Sequence, residues 1–263
     1  MNQTSSLPIG FIDSGLGGIS VLREAIKIMP SENFIYYGDS ANAPYGTKPR
    51  EEIRALTFRV VDILLARGVK GIAVACNTAT GAAVRDLRGI YPDLPIVGIE
   101  PAIKPAVEQS HGGRILVLAT PMTISQDKFR NLLARYNDNS KIIAVPCKGL
   151  MEFVEQGILE GEILDRYFDE HLLPYINEET ESIVLGCTHY PFLRHHLNGY
   201  LKGRNIALID GSLGTAKELK RRLGDRNLLL PAGEPGKVEI LNSSDDPQKI
   251  ILSHKLLELP DHY

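Results

Sequence analysis

The chain has 263 residues, 43% of them hydrophobic and 23% charged, with a formal net charge of −3. That length buries a substantial core, as one large α/β unit or as two smaller domains, and the slightly acidic balance supplies no basic field for a nucleic-acid partner. No apolar run approaches the ~20 residues of a membrane-spanning helix, and the opening MNQTSSLPIG lacks the basic and apolar segments of a signal peptide, so cytoplasmic residence is the expectation.

Along the chain, strand and helix patterns alternate with short connections, which predicts a parallel α/β architecture. PIGFID (8–13) reads as a buried strand and GGISVLREAIKIM as the helix after it. FIYYGD (34–39) is a second strand, followed by the loop SANAPYGTK. From Pro49 to Arg67 the apolar residues Ile53, Leu56, Val60, Ile63 and Leu64 recur at helical steps, with Glu51 and Glu52 at the positive end. GIAVAC (71–76) and PIVGIE (95–100) complete a first block of strands, with the helix TGAAVRDLRGI between them. Further strands are expected at RILVLAT (114–120), KIIAVP (141–146), SIVLGC (182–187) and IALID (206–210), with helices at MTISQDKFRNLLARY and YPFLRHHLNGYL. The remainder reads as a helix near 213–223, a strand KVEIL (237–241) and a helix near 246–258.

The three cysteines, Cys76, Cys147 and Cys187, are odd in number and show no CxxC spacing. A disulfide framework is not expected in a reducing compartment. Cys187 and His189 alone fall short of the three or four ligands zinc takes, so no metal is expected.

In parallel α/β sheets, ligands sit beyond the carboxyl ends of strands. Three polar clusters fall there: Asp13-Ser14, Cys76-Asn77-Thr78 and Cys187-Thr188-His189. A fourth, Pro44-Tyr45-Gly46, lies in the loop after the second strand. A dinucleotide reading of DSGLGG fails, because Ser20 occupies the third glycine position and Asp13 would repel a pyrophosphate. Two readings of that turn remain. Either its glycines supply backbone freedom while Ser14 or Asp13 caps the helix, or the carboxylate faces an ammonium or orients an acid–base group.

Cys147, in VPCKG, reads as a small apolar filler. Cys76 and Cys187 differ, because each ends a strand just ahead of a helix, where N–H groups and the helix dipole are expected to lower a thiol pKa. His189 is positioned to assist Cys187, and Asp13 is the matching candidate for Cys76. Two such thiols admit a redox couple, a Cys187–His189 nucleophile that leaves Cys76 idle, or an acid and a base on opposite faces of one carbon. The last needs two chemically equivalent groups whose roles exchange when the reaction reverses.

FIDSGLGGISVLREA, YYGDSANAPYG, VACNTAT and LGCTHYPFL together closely resemble the signatures of the glutamate racemases, within the aspartate/glutamate racemase family. The resemblance implies two pseudo-symmetric α/β domains with parallel sheets and the active site in the cleft between them. It places residues 1–98 and 210–263 in the first domain, on the Cys76 side, and 99–209 in the second, on the Cys187 side. It implies cofactor-independent interconversion of L- and D-glutamate for peptidoglycan, by a homodimer whose partner is this small substrate rather than nucleic acid or membrane. By the same carry-over, Cys76 deprotonates D-glutamate and Cys187 L-glutamate, with Asp13 and His189 assisting. Ser14, Pro44, Tyr45, Gly46, Asn77, Thr78, Cys187, Thr188 and Asp13 bind substrate, and Glu155 takes an assisting acidic role. Three stretches depart from the family pattern: Lys148 stands where proline is usual, IDGSLGTA (209–216) is reordered, and GKVEILNSSDDPQK is atypical.

Overall fold

In the computed structural model, which describes residues 3–136 and 141–260, the strands follow the apolar runs closely. They are β1 (Ile9–Asp13), β2 (Phe34–Gly38), β3 (Gly71–Val74), β4 (Ile96–Gly98), β5 (Arg114–Ala119), β6 (Lys141–Pro146), β7 (Thr180–Leu185), β8 (Ala207–Asp210) and β9 (Val238–Asn242). Hydrogen bonding sorts them into two sheets, ordered β4-β3-β1-β2-β9 and β6-β5-β7-β8. Every pairing is parallel. Strands such as β1 and β3 are buried along their whole length, which is why they read as unbroken apolar runs rather than alternating ones.

The helices are α1 (Ile19–Ile28), α2 (Arg50–Ala66), α3 (Asn77–Ile90), α4 (Ile103–Gln109), α5 (Pro121–Ser125), α6 (Asp127–Tyr136), α7 (Leu150–Glu155), α8 (Glu162–His171), α9 (Arg194–Tyr200), α10 (Ser212–Gly224) and α11 (Pro247–Leu257). Two expected helices are interrupted. MTISQDKFRNLLARY breaks at Gln126, whose backbone is extended (φ −74°, ψ 139°). The Thr120 hydroxyl accepts from the Thr123 N–H to cap α5, and the Gln126 side chain reaches across to donate to the Thr78 carbonyl at 3.1 Å. YPFL forms a tight 3₁₀ turn over Tyr190–Leu193 before α9 begins. The sequence rhythm also left α7 and α8 undivided from their surroundings.

Three apolar layers enclose the sheets. Ile53, Val60 and Leu64 of α2 pack with Ala83 and Leu87 of α3 on one face of the first sheet. Ile103, Phe129 and Val117 fill one face of the second. The largest layer is shared: Leu16, Ile19 and Leu22 join Leu150, Val154, Tyr190, Phe192 and Leu219 in one continuous core. The strands of the second sheet lie between β4 and β9 in sequence, so the chain leaves the first sheet once and returns once. The two passages touch, since a Cβ on Gly211 would stand 2.5 Å from the Glu100 carbonyl oxygen. Among the described residues, no helix is long and apolar enough to cross a membrane.

Candidate active site

Parallel registration sets the site. β1 pairs with β3 so that Ile12 lies beside Val74, which places Asp13 next to the loop carrying Cys76. In the second sheet Leu118 lies beside Leu185, so the loop after β7 carries Cys187 out of that sheet's carboxyl edge. Each cysteine stands two residues past the end of its strand.

Cys76 is the N-cap of α3, and its Sγ accepts from the Ala79 N–H at 3.5 Å. It also shares a hydrogen bond of 3.5 Å with the Ser14 hydroxyl. The helix-terminus geometry is as the sequence suggests, but its electrostatic consequence is reversed. Burial, reinforced by the Asp13 charge, pushes the thiol up to about 12, and the Ser14 and Ala79 hydrogen bonds only partly oppose it. Cys187 lacks an α-helix immediately after it; the Thr188-His189 turn and the Tyr190–Leu193 3₁₀ segment follow instead.

The two walls are joined by hydrogen bonds. Thr188 Oγ1 donates to Asp13 Oδ1 at 3.1 Å, and Ser20 Oγ donates to the Thr188 carbonyl at 2.9 Å. Asp13 also accepts from the Gly15 N–H at 2.9 Å. Its carboxyl is fully buried, and that burial raises its pKa despite the attraction of His189. Asp13 therefore bonds to the opposite wall, while Ser14 is the residue that touches the Cys76 sulfur.

On the second wall, Cys187 Sγ lies 3.6 Å from His189 Nδ1, and His189 Nε2 lies 2.8 Å from Glu155 Oε1. Glu155 ends α7 and collects two further donors: the Leu16 N–H at 2.6 Å on Oε1, and Lys249 Nζ of α11 at 2.7 Å on Oε2. Burial disfavours an imidazolium at His189, yet its hydrogen bonds to Cys187 and Glu155 hold the pKa well above the ordinary value. Burial likewise opposes charge on Glu155, but His189 and Lys249 bring that carboxyl down to about 2.

The glycines of DSGLGG are explained by proximity. Their φ angles are ordinary, since Gly15, Gly17 and Gly18 are absent from the positive-φ residues. A Cβ on Gly15 would lie 2.1 Å from Glu155 Oε1, and one on Gly17 would lie 2.4 Å from His189 Nδ1 and 2.7 Å from Thr188 Oγ1. This turn is bare because Glu155, His189 and Thr188 of the second wall lie directly against it, a reason different from backbone freedom.

The Pro44-Tyr45-Gly46 segment is held from below. Tyr45 is buried and donates to Asp39 Oδ2 at 2.6 Å. Asn42 and Arg59 also donate to Asp39, and the Asp39 N–H donates to the Asp13 carbonyl. Gly46 lies against Thr120, and Thr78 Oγ1 is 3.4 Å from Thr120 Oγ1 and 3.1 Å from Thr123 Oγ1. Asn77 Oδ1 is buried without a hydrogen-bond partner among the described residues. Cys147 sits in the shared core and donates to the Val145 carbonyl at 3.5 Å, as a filler would.

Sequence reasoning overlooked Asp39, Thr120, Thr123 and Lys249. Thr120 was within reach of the same rule that found the cysteines, since it directly follows β5. Lys249 carried no signal, being 94 residues from Glu155.

The chain resembles known proteins over nearly its whole length. The model of the family described as Asp/Glu/Hydantoin racemase matches residues 14–219. A glutamate racemase of Clostridium novyi is 52% identical over 254 residues, covering 96% of this chain and 98% of that one. The crystal structure of glutamate racemase from Francisella tularensis in complex with D-glutamate superposes with a TM-score of 0.83 at 28% identity, covering 98% of this chain and 96% of that chain. The Escherichia coli glutamate racemase, in complex with L-glutamate and the activator UDP-MurNAc-ala, gives a TM-score of 0.82 at 26% identity, with 95% of each chain covered. With two parallel-sheet α/β units and this match spanning both cysteine motifs, the chain belongs to the Asp/Glu/Hydantoin racemase family of isomerases.

Proposed function

We propose that this protein is a glutamate racemase that interconverts L- and D-glutamate without a cofactor. The proton crosses Cα between Cys76 and Cys187, and the D-glutamate serves peptidoglycan synthesis. The observation that carries the reading is a pair of buried thiols, each two residues past the carboxyl end of a parallel strand in a different sheet, with their segments joined by the Thr188–Asp13 hydrogen bond. Relatives named as glutamate racemases, one in complex with D-glutamate and one with L-glutamate, support the choice of substrate.

The protonation pattern suggests the resting form. Cys76 is a neutral thiol, ready to donate, while His189, hydrogen-bonded to Cys187, is held toward its imidazolium form. In this form Cys187 sulfur takes the Cα proton of L-glutamate, and Cys76 delivers its own proton to the opposite face, leaving D-glutamate and the inverse charge state. The reverse reaction begins from that state. An amino-acid Cα–H is far less acidic than a thiol, so the carbanion needs fixed donors on its α-carboxylate in a site closed to water. The side chains of Asn77, Thr78 and Ser14, with backbone N–H groups such as that of Thr188, whose hydroxyl is spent on Asp13, supply neutral donors. The unpartnered Asn77 Oδ1 offers an acceptor for the substrate ammonium. Pro44, Tyr45 and Gly46 form the remaining wall.

The same reading assigns 1–98 with 210–263 to one domain and 99–209 to the other, and describes a cytoplasmic homodimer. The deciding experiment follows the optical activity of L-glutamate, with L-aspartate in parallel, in water and in deuterium oxide. Loss of rotation with deuterium entering Cα of glutamate is the expected result. Glutamate that binds without racemising overturns it.

A further inference from the structure

The C-terminal stretch GKVEILNSSDDPQK, atypical for the resemblance, leads into α11 and so delivers Lys249 to the acid–base groups. β9 adds to the first sheet beside β2, with Phe34 opposite Val238, and Asp246 caps α11 by accepting from the Gln248 N–H. Beyond α11 the chain is tied to α1, because the Arg23 guanidinium donates to the Leu259 carbonyl and, at 3.1 Å, to that of Pro260. The helix thus belongs to the Cys76 side, yet Lys249 Nζ donates to Glu155 Oε2 at 2.7 Å and to the Glu155 carbonyl at 3.0 Å on the Cys187 side. Leu252, one turn on, lies against Gly157 just after α7.

Glu155 carries His189 on one oxygen and Lys249 on the other. Oε1 is fully engaged by His189 Nε2 and the Leu16 N–H, whereas Lys249 is the one donor to Oε2 among the described residues. The Glu155 side chain is only 10% exposed and that of Lys249 22%. Removing Lys249 leaves half of a buried carboxylate without a donor, and such a group either rotates or takes up a proton.

We propose that Lys249 is a positioning residue for proton transfer at Cys187. By gripping the far oxygen of Glu155 it fixes the carboxylate that orients His189, so the acid–base pair is assembled only when α11 is seated across the two sheets. This inference rests on the racemase reading for its kinetic consequence, but its physical core, the Lys249–Glu155–His189 chain, does not. The charged and titratable groups facing this chain are Cys187 beside His189, Asp13 at the end of β1 and Tyr36 on β2. Asp13 and Tyr36 both feel the Glu155 charge, which raises their pKa values, so protonation of Glu155 in a Lys249 variant eases both downward.

The test compares the full-length wild type with Lys249→Met and Lys249→Arg. The first readout is the ¹⁵N imidazole signal of His189 in substrate-free protein, assigned by its loss in His189→Gln and followed against pH. The second is the pH profile of kcat/KM for glutamate. In Lys249→Met, Glu155 protonates at higher pH, so the His189 signal changes environment and the acid limb of kcat/KM moves up by about one pH unit or more. The neutral rate falls by about tenfold, and Lys249→Arg restores the limb and most of the rate. Should Lys249→Met fail to fold, Lys249→Gln makes the same comparison. Lower thermal stability with both the limb and the His189 titration unmoved means that Lys249 only fastens the helix, and the proposal falls. If the wild type does not racemise glutamate, the racemase reading fails while the imidazole titration still decides the role of Lys249.

Discussion

Thr188 Oγ1 donates to Asp13 Oδ1 at 3.1 Å, joining residues 175 apart, one ending a strand of the first sheet and the other just past a strand of the second. Each is the neighbour of a group central to the proposed chemistry: Thr188 follows Cys187, and Asp13 precedes the Ser14 that touches Cys76. The bond therefore ties the segment that carries Cys187 to the one whose Ser14 touches Cys76.

Exchange of either thiol for a weaker acid should stop inversion. Cys76→Ser and Cys187→Ser should each lower kcat/KM for glutamate by about 10²- to 10⁴-fold, while Cys147→Ala should stay close to wild type. Because enantiomers have equal free energies in water, every variant must lose kcat/KM equally in the two directions. Polarimetry from both enantiomers checks the ranking and this equality together. Rapid turnover in Cys76→Ser would remove the two-thiol scheme.

Steric crowding at the glycine-rich turn should act on chemistry before stability. In Gly17→Ala the new methyl meets His189 Nδ1 and Thr188 Oγ1, so the ring must move away from Cys187. Since Gly17 has an ordinary φ, no backbone strain accompanies the change. A loss of kcat of about 10²-fold is expected, with a melting temperature lowered by only a few degrees. A variant with wild-type kcat would contradict the packing of this turn against the second wall.

Alkaline pH should weaken the fold through buried thiols. Cys76 and Cys147 are each held near 12, against 9.0 when exposed. Above pH 9 the unfolded thiols release protons that the folded ones keep, so stability is complete below that pH and declines as pH rises towards 12. Each thiol contributes a slope of about 1.4 kcal/mol per pH unit. Urea titrations between pH 9 and 10, before the tyrosines add their own effect, should give a shallower decline for Cys147→Ala than for wild type.

Glu155 gives the opposite dependence. Its carboxyl is lowered from 4.5 to about 2, so its contribution is present above pH 4.5 and is lost as pH falls towards 2, on the order of 3 kcal/mol in all. Glu155→Gln should unfold at a lower temperature at neutral pH, and the gap from wild type should close in acid. Calorimetry at pH 7 and pH 3 tests the sign.

Much of this architecture was legible because fully buried parallel strands leave unbroken apolar runs, and strand ends announce where polar clusters converge. β9, which carries Glu239 and Asn242, was still marked by KVEIL. What escaped has a common cause. The break at Gln126 is set by Thr78 in a different part of the chain, and Lys249 meets Glu155 only through the assembled fold. The expected depression of the Cys76 pKa considered its own helix and omitted burial and Asp13, which are stronger. Local spacing reveals which groups are present, while their charge states are settled by neighbours distant in sequence.

The contact of Gly211 with the Glu100 carbonyl bears on how substrate enters. Two backbone passages lying side by side are where the chain crosses between the sheets, so any swing of one sheet against the other would pivot near them. Entry to the cleft then requires the jaws to part at the side remote from that crossing. The Thr188–Asp13, Glu155–Leu16, Gln126–Thr78 and Lys249–Glu155 contacts all stand across that opening. A methyl group at Gly211 would wedge that crossing, so Gly211→Ala should alter the rate of substrate exchange while leaving both sulfurs chemically intact.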